Sequence, residues 1–150
     1  MWKSDLPRPK GYEDYTFPFV VKKPWGWERW LELWQDPSTG KGYCMKHIFM
    51  RKGIRTSFQR HNLKTETNFL TEGEYVGFFE NELGGEIEEK IMQAEDPKTN
   101  VWTIPAGRAH RIHTLTDIHI VETSTYEVDD VTRLGDDYGR GDGKIDSEHK

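Results

Sequence analysis

Cysteine is almost absent: Cys44 is the only one in 150 residues. That excludes an intrachain disulfide and any multi-thiolate zinc or iron–sulfur centre within one chain, and it points to a reducing compartment. Long apolar runs are missing as well. No stretch approaches the roughly 18 apolar residues of a membrane-spanning helix, and the opening MWKSDLPRPKGYEDY carries charge and proline where a secretory leader needs an apolar run. The expectation is a cytoplasmic protein without a membrane partner. There is no excess of basic charge either. With 21 Lys and Arg against 26 Asp and Glu, the net charge is -5 and the pI is near 5.7, so no global basic field exists to bind a nucleic-acid backbone. Hydrophobic residues make up only 34%, yet aromatics reach 13% with six Trp, a profile that separates the chain from disordered proteins. A single folded domain is expected at this length.

No segment keeps a 3.6-residue apolar period over three turns, so little helix is expected. From Val20 onward, short runs rich in β-branched and aromatic residues alternate with turn signals such as DPSTGKG (36–42), TEGE (71–74), ENELGG (80–85) and EDPKTN (95–100). This rhythm predicts an all-β sandwich or barrel with strands over 26–34, 42–51, 56–61, 67–70, 75–80, 86–92, 100–104, 109–115 and 118–125. Residues 1–19 hold Pro7, Pro9, Gly11 and Pro18 among Tyr12, Tyr15, Phe17 and Phe19, which predicts an extended N-terminal arm anchored by aromatics. Residues 20–140 form the barrel domain in this reading, and GDGKIDSEHK (141–150) a flexible tail.

The richest chemistry lies in GIRTSFQRHNLKTETNFLTEG (53–73). Alternation on a strand puts Ser57, Gln59 and His61 on one face, and after the turn NLKT, Glu66 returns beside them on the neighbouring strand. Farther on, TIPAGRAHRI (103–112) places His110 after a Pro-Ala-Gly turn. Gln59, His61, Glu66 and His110 together offer two imidazoles, a carboxylate and an amide oxygen. Such a set suits one divalent first-row ion (Zn, Mn, Fe, Co or Ni) with positions left open for substrate. His113 falls on the opposite face from His110, and His47 and His119 sit in no motif, so these three are read as surface or paired histidines.

Gly53, Gln59, His61, Glu66 and Gly73, at these spacings, resemble the first cupin motif, with Gln59 where most cupins have His. Pro105, Gly107 and His110 resemble the second, with Thr99 and Thr114 replacing its outer Gly and Asn. Together with KPWGWE (23–28), SFQRH and DDVTRLGDDYGR (129–140), the pattern resembles the mannose-6-phosphate isomerase branch of the cupins, the type II phosphomannose isomerase-like proteins. The resemblance spans residues 20–140. It departs at Lys64, where the branch has Arg, and at Asn68, where it has Trp. It implies a double-stranded β-helix, the jelly-roll-like cupin barrel, and an enzyme interconverting an aldose and a ketose phosphate of the mannose 6-phosphate/fructose 6-phosphate type.

That reaction moves a proton between C1 and C2, and so requires a base, an electrophile and an anchor for phosphate. Glu66, Glu122 on the inward phase of IHIVE, and an aquated metal all remain open as the base. Lys46 lies in phase with Cys44, Ile48 and Met50 on an apolar inward face, where an ammonium is expensive unless it meets an anion; the resembling branch has a Lys there, and a catalytic or substrate-anion role is expected. Ser57, Lys64, Arg111 and Arg133 are candidate substrate contacts, Arg111 being the weakest because alternation turns it away from His110. Trp25, Trp27, Trp30 and Trp34 read as core or interface before they read as a sugar platform. The aromatic surplus of the arm predicts a homodimer. Two rival functions stand beside the isomerase: a metal-binding cupin of other activity, such as a dioxygenase, and a non-enzymatic sugar-binding module.

Overall fold

The structure is a computed structural model describing residues 6–149; residues 1–5 of the arm and residue 150 of the expected tail lie outside the described residues. Among the described residues eleven strands follow one another: β1 Phe19–Lys23, β2 Gly26–Gln35, β3 Gly42–Met50, β4 Phe58–Arg60, β5 Glu66–Glu72, β6 Glu74–Glu80, β7 Ile87–Gln93, β8 Val101–Ile104, β9 His110–Thr114, β10 Ile118–Thr125 and β11 Thr132–Gly135. Among the described residues there is no α-helix, only a 3-10 turn at Asp146–His149, and no helix long and apolar enough to cross a membrane. The strands form a six-stranded sheet, in the order β1-β2-β3-β10-β5-β8, and a five-stranded sheet, in the order β11-β4-β9-β6-β7. All pairings are antiparallel. The architecture is a jelly-roll sandwich. β1 and β11 add to the strands expected from sequence. Both are short edge strands whose partners, β2 and β4, are visible only once the chain is folded.

Alternation decides what faces inward. In β3, Cys44, Lys46, Ile48 and Met50 are buried while Met45 is exposed; in β10, Ile118, Ile120, Glu122 and Ser124 are buried. The register sets Ile120 opposite Ile48 and Glu122 opposite Lys46. One inner region is therefore apolar, where Ile48, Met50, Ile118, Ile120 and Leu70 pack with Trp25, Tyr75 and Ile112. The adjoining rungs carry charge. A slip of one residue would turn both sets to solvent, so the register and the site are fixed by the same pattern.

A second cluster joins Tyr12, Val21, Trp30, Leu33 and Cys44, with Tyr15, Phe17 and Phe19 against it. The arm thus covers its own barrel: the Tyr12 ring stacks on Trp30 at 5.4 Å and lies tilted against Tyr15 at 4.9 Å, and its hydroxyl donates to Asp129 (2.7 Å). Among its described aromatics Tyr12 is buried, and Tyr15, Phe17 and Phe19 are half-buried against the same cluster. In the segment expected as a flexible tail, Glu148 is buried, at 9% exposure.

Gly73 joins β5 to β6 with φ +88, and a Cβ there would collide with the Asp117 carbonyl oxygen. Gly73→Ala should lower stability by roughly 1–3 kcal/mol, read as a drop in the urea midpoint at unchanged slope.

Candidate metal centre

Three local devices bring the ligand side chains together. Gln59 on β4 pairs with His110 on β9, which aligns the two motifs side by side. Gly107, at φ +88 in the Pro-Ala-Gly turn, donates its amide to the His61 carbonyl (2.6 Å) and ties that turn to the first motif. Asp130 holds the loop between His61 and Glu66: its carboxylate accepts the amides of Asn62 (3.2 Å), Leu63 (2.6 Å) and Lys64 (3.0 Å).

The result is a buried group of His61, Glu66 and His110 whose ligand atoms lie within 4.8 Å of one another. The Glu66 Oε1 is 3.7 Å from His61 Nε2 and 3.2 Å from His110 Nε2. Each imidazole contacts a backbone carbonyl through Nδ1, His61 that of Asp130 (2.7 Å) and His110 that of Arg108 (3.0 Å). That fixes the tautomer that leaves Nε2 as a lone-pair donor, the usual support of a metal-binding histidine. Burial, and then the positive charge of Lys64, push the His61 imidazole down, which keeps it neutral. Its Nε2 is buried with no hydrogen-bond partner. An orphaned buried acceptor aimed at a carboxylate fits a divalent ion. Gln59 lies beside them, its Nε2 3.4 Å from His110 Nε2 and its Oε1 accepting from Ser57 Oγ (2.8 Å). Half a turn of the amide exchanges its two ends and presents the oxygen to the ion, with Ser57 then accepting from nitrogen.

Behind the ligands stands a buried charge network. Lys64 Nζ meets Glu66 at 3.1 Å and Glu122 at 3.9 Å; Lys46 Nζ meets Glu28 at 3.3 Å and Glu122 at 3.9 Å, and lies 4.2 Å from the Trp30 ring centre. Burial alone would raise the Glu28 carboxyl, but Lys46, Lys23 and Lys64 bring it down to about 2. Burial pushes Glu122 up to about 8, with Glu66 beside it opposing the pull of Lys64 and Lys46. The Glu66 carboxyl, despite its burial, lies well below the usual range because of Lys64 and the hydrogen bonds of His110, His61 and Glu122.

Arg111 is the correction among the candidate residues. It points to the outer face of its sheet, donating to the carbonyls of Thr56 (2.8 Å) and Gly135 (3.3 Å) beside Asp137, as strand alternation requires. Lys46 and Lys64 line the cavity, each beside two buried carboxylates, Glu28 and Glu122 for Lys46 and Glu66 and Glu122 for Lys64. Arg133 lines the cavity while its guanidinium donates to the carbonyls of Gly141 and Gly143. His47 and His119 pair with each other at 2.9 Å, away from this cavity, and His113 borders an outer groove with Arg111. Glu28 escaped the sequence reading. An unpaired inward Lys46 demanded an anion, and Glu28, inward on the preceding strand, was the nearest one available.

No protein-family model matches this chain, and no curated protein matches it. Solved structures do. A complex of CapF with the inhibitor 3-isopropenyl-tropolone superposes with a TM-score of 0.62 at 19% identity, covering 83% of this chain and 36% of that one. CapF from Staphylococcus aureus, a capsular polysaccharide assembling protein, gives 0.62 at 20% over 81% of this chain and 33% of that one. A deletion mutant of Bacillus subtilis oxalate decarboxylase gives 0.62 at 13% over 79% and 30%. This chain thus spans about a third of the length of these neighbours. At such identities the likeness defines the fold alone, and that fold is the cupin fold.

His61→Ala and His110→Ala should each weaken Co(II) or Zn(II) binding far more than His113→Ala, which should leave it at the wild-type level. Asp130→Ala, which frees the loop without removing a ligand, should lower affinity roughly 10- to 100-fold. Metal titration of folded variants checks both; equal loss in His113→Ala would remove the site.

Proposed function

We propose that this protein is a cytoplasmic metal-dependent enzyme acting on a phosphorylated sugar, interconverting an aldose and a ketose of the mannose 6-phosphate/fructose 6-phosphate type. The observation that carries this reading is one cavity in which the set His61, Glu66 and His110, with Gln59 beside it, meets a second carboxylate, Glu122, whose Oε2 has no hydrogen-bond partner. Isomerisation needs that combination: an electrophile at the sugar oxygens and a separate group to carry the proton. A divalent ion held by these residues supplies a Lewis acid for the negative charge that develops on O1 and O2. Glu122 takes the proton from one carbon and returns it to the other. Lys46 and Lys64 act through Glu122 and Glu66, holding the proton carrier and the ligand in place. Ser57 orients the Gln59 amide, and Arg133 faces the substrate from the opposite sheet. The reading includes a homodimer, with the exposed Met45, Phe69 and Val101 on the outer face of the six-stranded sheet as its seam.

A second reading is favoured by size. The free volume of the cavity is about 100 Å³, below the ~300–1,000 Å³ of typical ligand pockets, and a 2-His-1-carboxylate set also serves iron-dependent oxygen chemistry on small acids. Oxalate oxidase, solved with the substrate analogue glycolate, is among the structural neighbours, with a TM-score of 0.53 at 17% identity over 61% of this chain and 46% of that one.

The deciding experiment incubates protein loaded in turn with Zn, Mn, Fe, Co and Ni with hexose and pentose phosphates in D2O. Deuterium at C1 or C2 of a hexose 6-phosphate is the expected result, and it should vanish in Glu122→Gln while metal content is retained. Oxygen consumption with oxalate and Fe(II), without exchange, would replace the isomerase with the second reading. Retained metal with neither reaction would leave a sugar-binding module.

A further inference from the structure

The central cavity reaches the edge of the sandwich between two edge strands, β1 of one sheet and β11 of the other. It is lined there by Lys23, Arg133 and the segment that follows β11, including Arg140, Lys144 and His149. Across this edge a carboxylate of the chain itself is clamped between two cations. Glu148, on the 3-10 turn, accepts from Lys23 Nζ (2.8 Å) and from Arg140 Nη1 (3.3 Å). All three side chains are nearly closed to solvent, at 9, 12 and 9% exposure for Glu148, Lys23 and Arg140. Arg140 is positioned independently: its Nε and Nη2 donate to Asp136 (3.1 and 3.0 Å), and Asp136 also accepts the Arg140 amide (2.6 Å). Without Glu148, Asp136 would still aim the guanidinium, and Nη1 and the Lys23 ammonium would converge as two free donors on one point of the cavity wall. The turn that inserts Glu148 is only four residues long, and its His149 ring rests against Trp30 and Tyr12 rather than entering a strand.

We propose that Lys23 and Arg140 are the seat for the substrate's phosphate, and that the Glu148 carboxylate is a resident stand-in which the phosphate displaces. The identity of the anion rests on the phosphorylated-sugar reading; the seat itself rests on the clamp. Two cations holding a monoanionic carboxylate bind a phosphate dianion more strongly, since each charge-assisted contact strengthens with the acceptor's charge. Displacement also resolves the size conflict. Withdrawing the segment 144–149 opens the edge and enlarges a cavity too small, when closed, for a hexose phosphate.

Calorimetric titration of the purified protein with inorganic phosphate, mannose 6-phosphate and mannose tests the seat without reference to turnover. Glu148→Gln should bind inorganic phosphate and mannose 6-phosphate about tenfold more tightly than wild type, about 1.4 kcal/mol. Lys23→Met in the Glu148→Gln background should abolish the gain, and mannose should give no response in any of them. In wild type, saturating mannose 6-phosphate should speed amide hydrogen exchange over 144–149 and leave β3 and β10 unchanged. The exchange measurement decides the matter if Glu148→Gln does not fold. Unchanged phosphate affinity in folded Glu148→Gln, or slower exchange of 144–149 with ligand, would overturn the proposal and reduce the clamp to a structural tie. Phosphate binding as described with no deuterium incorporation would retire the isomerase and keep the seat; the converse would retire the seat alone.

Discussion

Two ammonium groups buried among three carboxylates are the constraint around which this molecule is arranged. Lys46 and Lys64 lie between Glu28, Glu66 and Glu122 on the inner face of one sheet, where a lone charge is untenable and a pair survives only with good geometry. The apolar half of the same face, from Ile48 and Ile120 to Met50 and Ile118, holds the strands in the one register that sets these charges opposite each other. Removing one member strands the others, a change that typically costs about 3–5 kcal/mol. The network is therefore a structural liability that also sets two carboxyls with opposite shifts, Glu66 lowered and Glu122 raised, side by side in one cavity.

The candidate ligand histidines, His61 and His110, depend on a different kind of support. Their orientation comes from backbone carbonyls at Asp130 and Arg108, and their proximity from the Gly107 to His61 hydrogen bond and the Gln59 to His110 pairing. None of these contacts uses a side chain of the hydrophobic core. The orientation of the two histidines is thus supported separately from the packing of the apolar core. The segment after β11 completes the enclosure, carrying its own acid to two cations at the edge. A sandwich has two open edges, and here one is covered by the segment that follows β11.

Much of this was legible in the sequence. Nine of the strands follow directly from period-two alternation bounded by turn residues, because those signals are local. The candidate ligands His61, Glu66 and His110, which the fold gathers within 4.8 Å of one another, and Gln59 beside them could be picked out from spacing, since a strand face and a hairpin return are short-range geometry. Arg111, the weakest of the candidate substrate contacts, lies on the outer face of its sheet, as the alternation that turns His110 inward requires. The edge strands β1 and β11 were missed because an edge strand is defined by its partner, and β4 is far from β11 in sequence.

The remainder was decided only by the tertiary structure, for one physical reason: charge pairing and edge closure depend on distance in space, not on local pattern. The sequence determined that Lys46 faces inward and needs an anion; the register between β2, β3 and β10 chose Glu28 and Glu122. It determined that the arm is aromatic and the last residues polar. Packing decided that the aromatics of the arm cover Trp30 of their own barrel, and that Glu148, in a stretch whose composition reads as a frayed end, is buried between Lys23 and Arg140. Side chains 125 residues apart in the chain, such as Lys23 and Glu148, leave no periodicity to read, and only the closed sandwich brings them together.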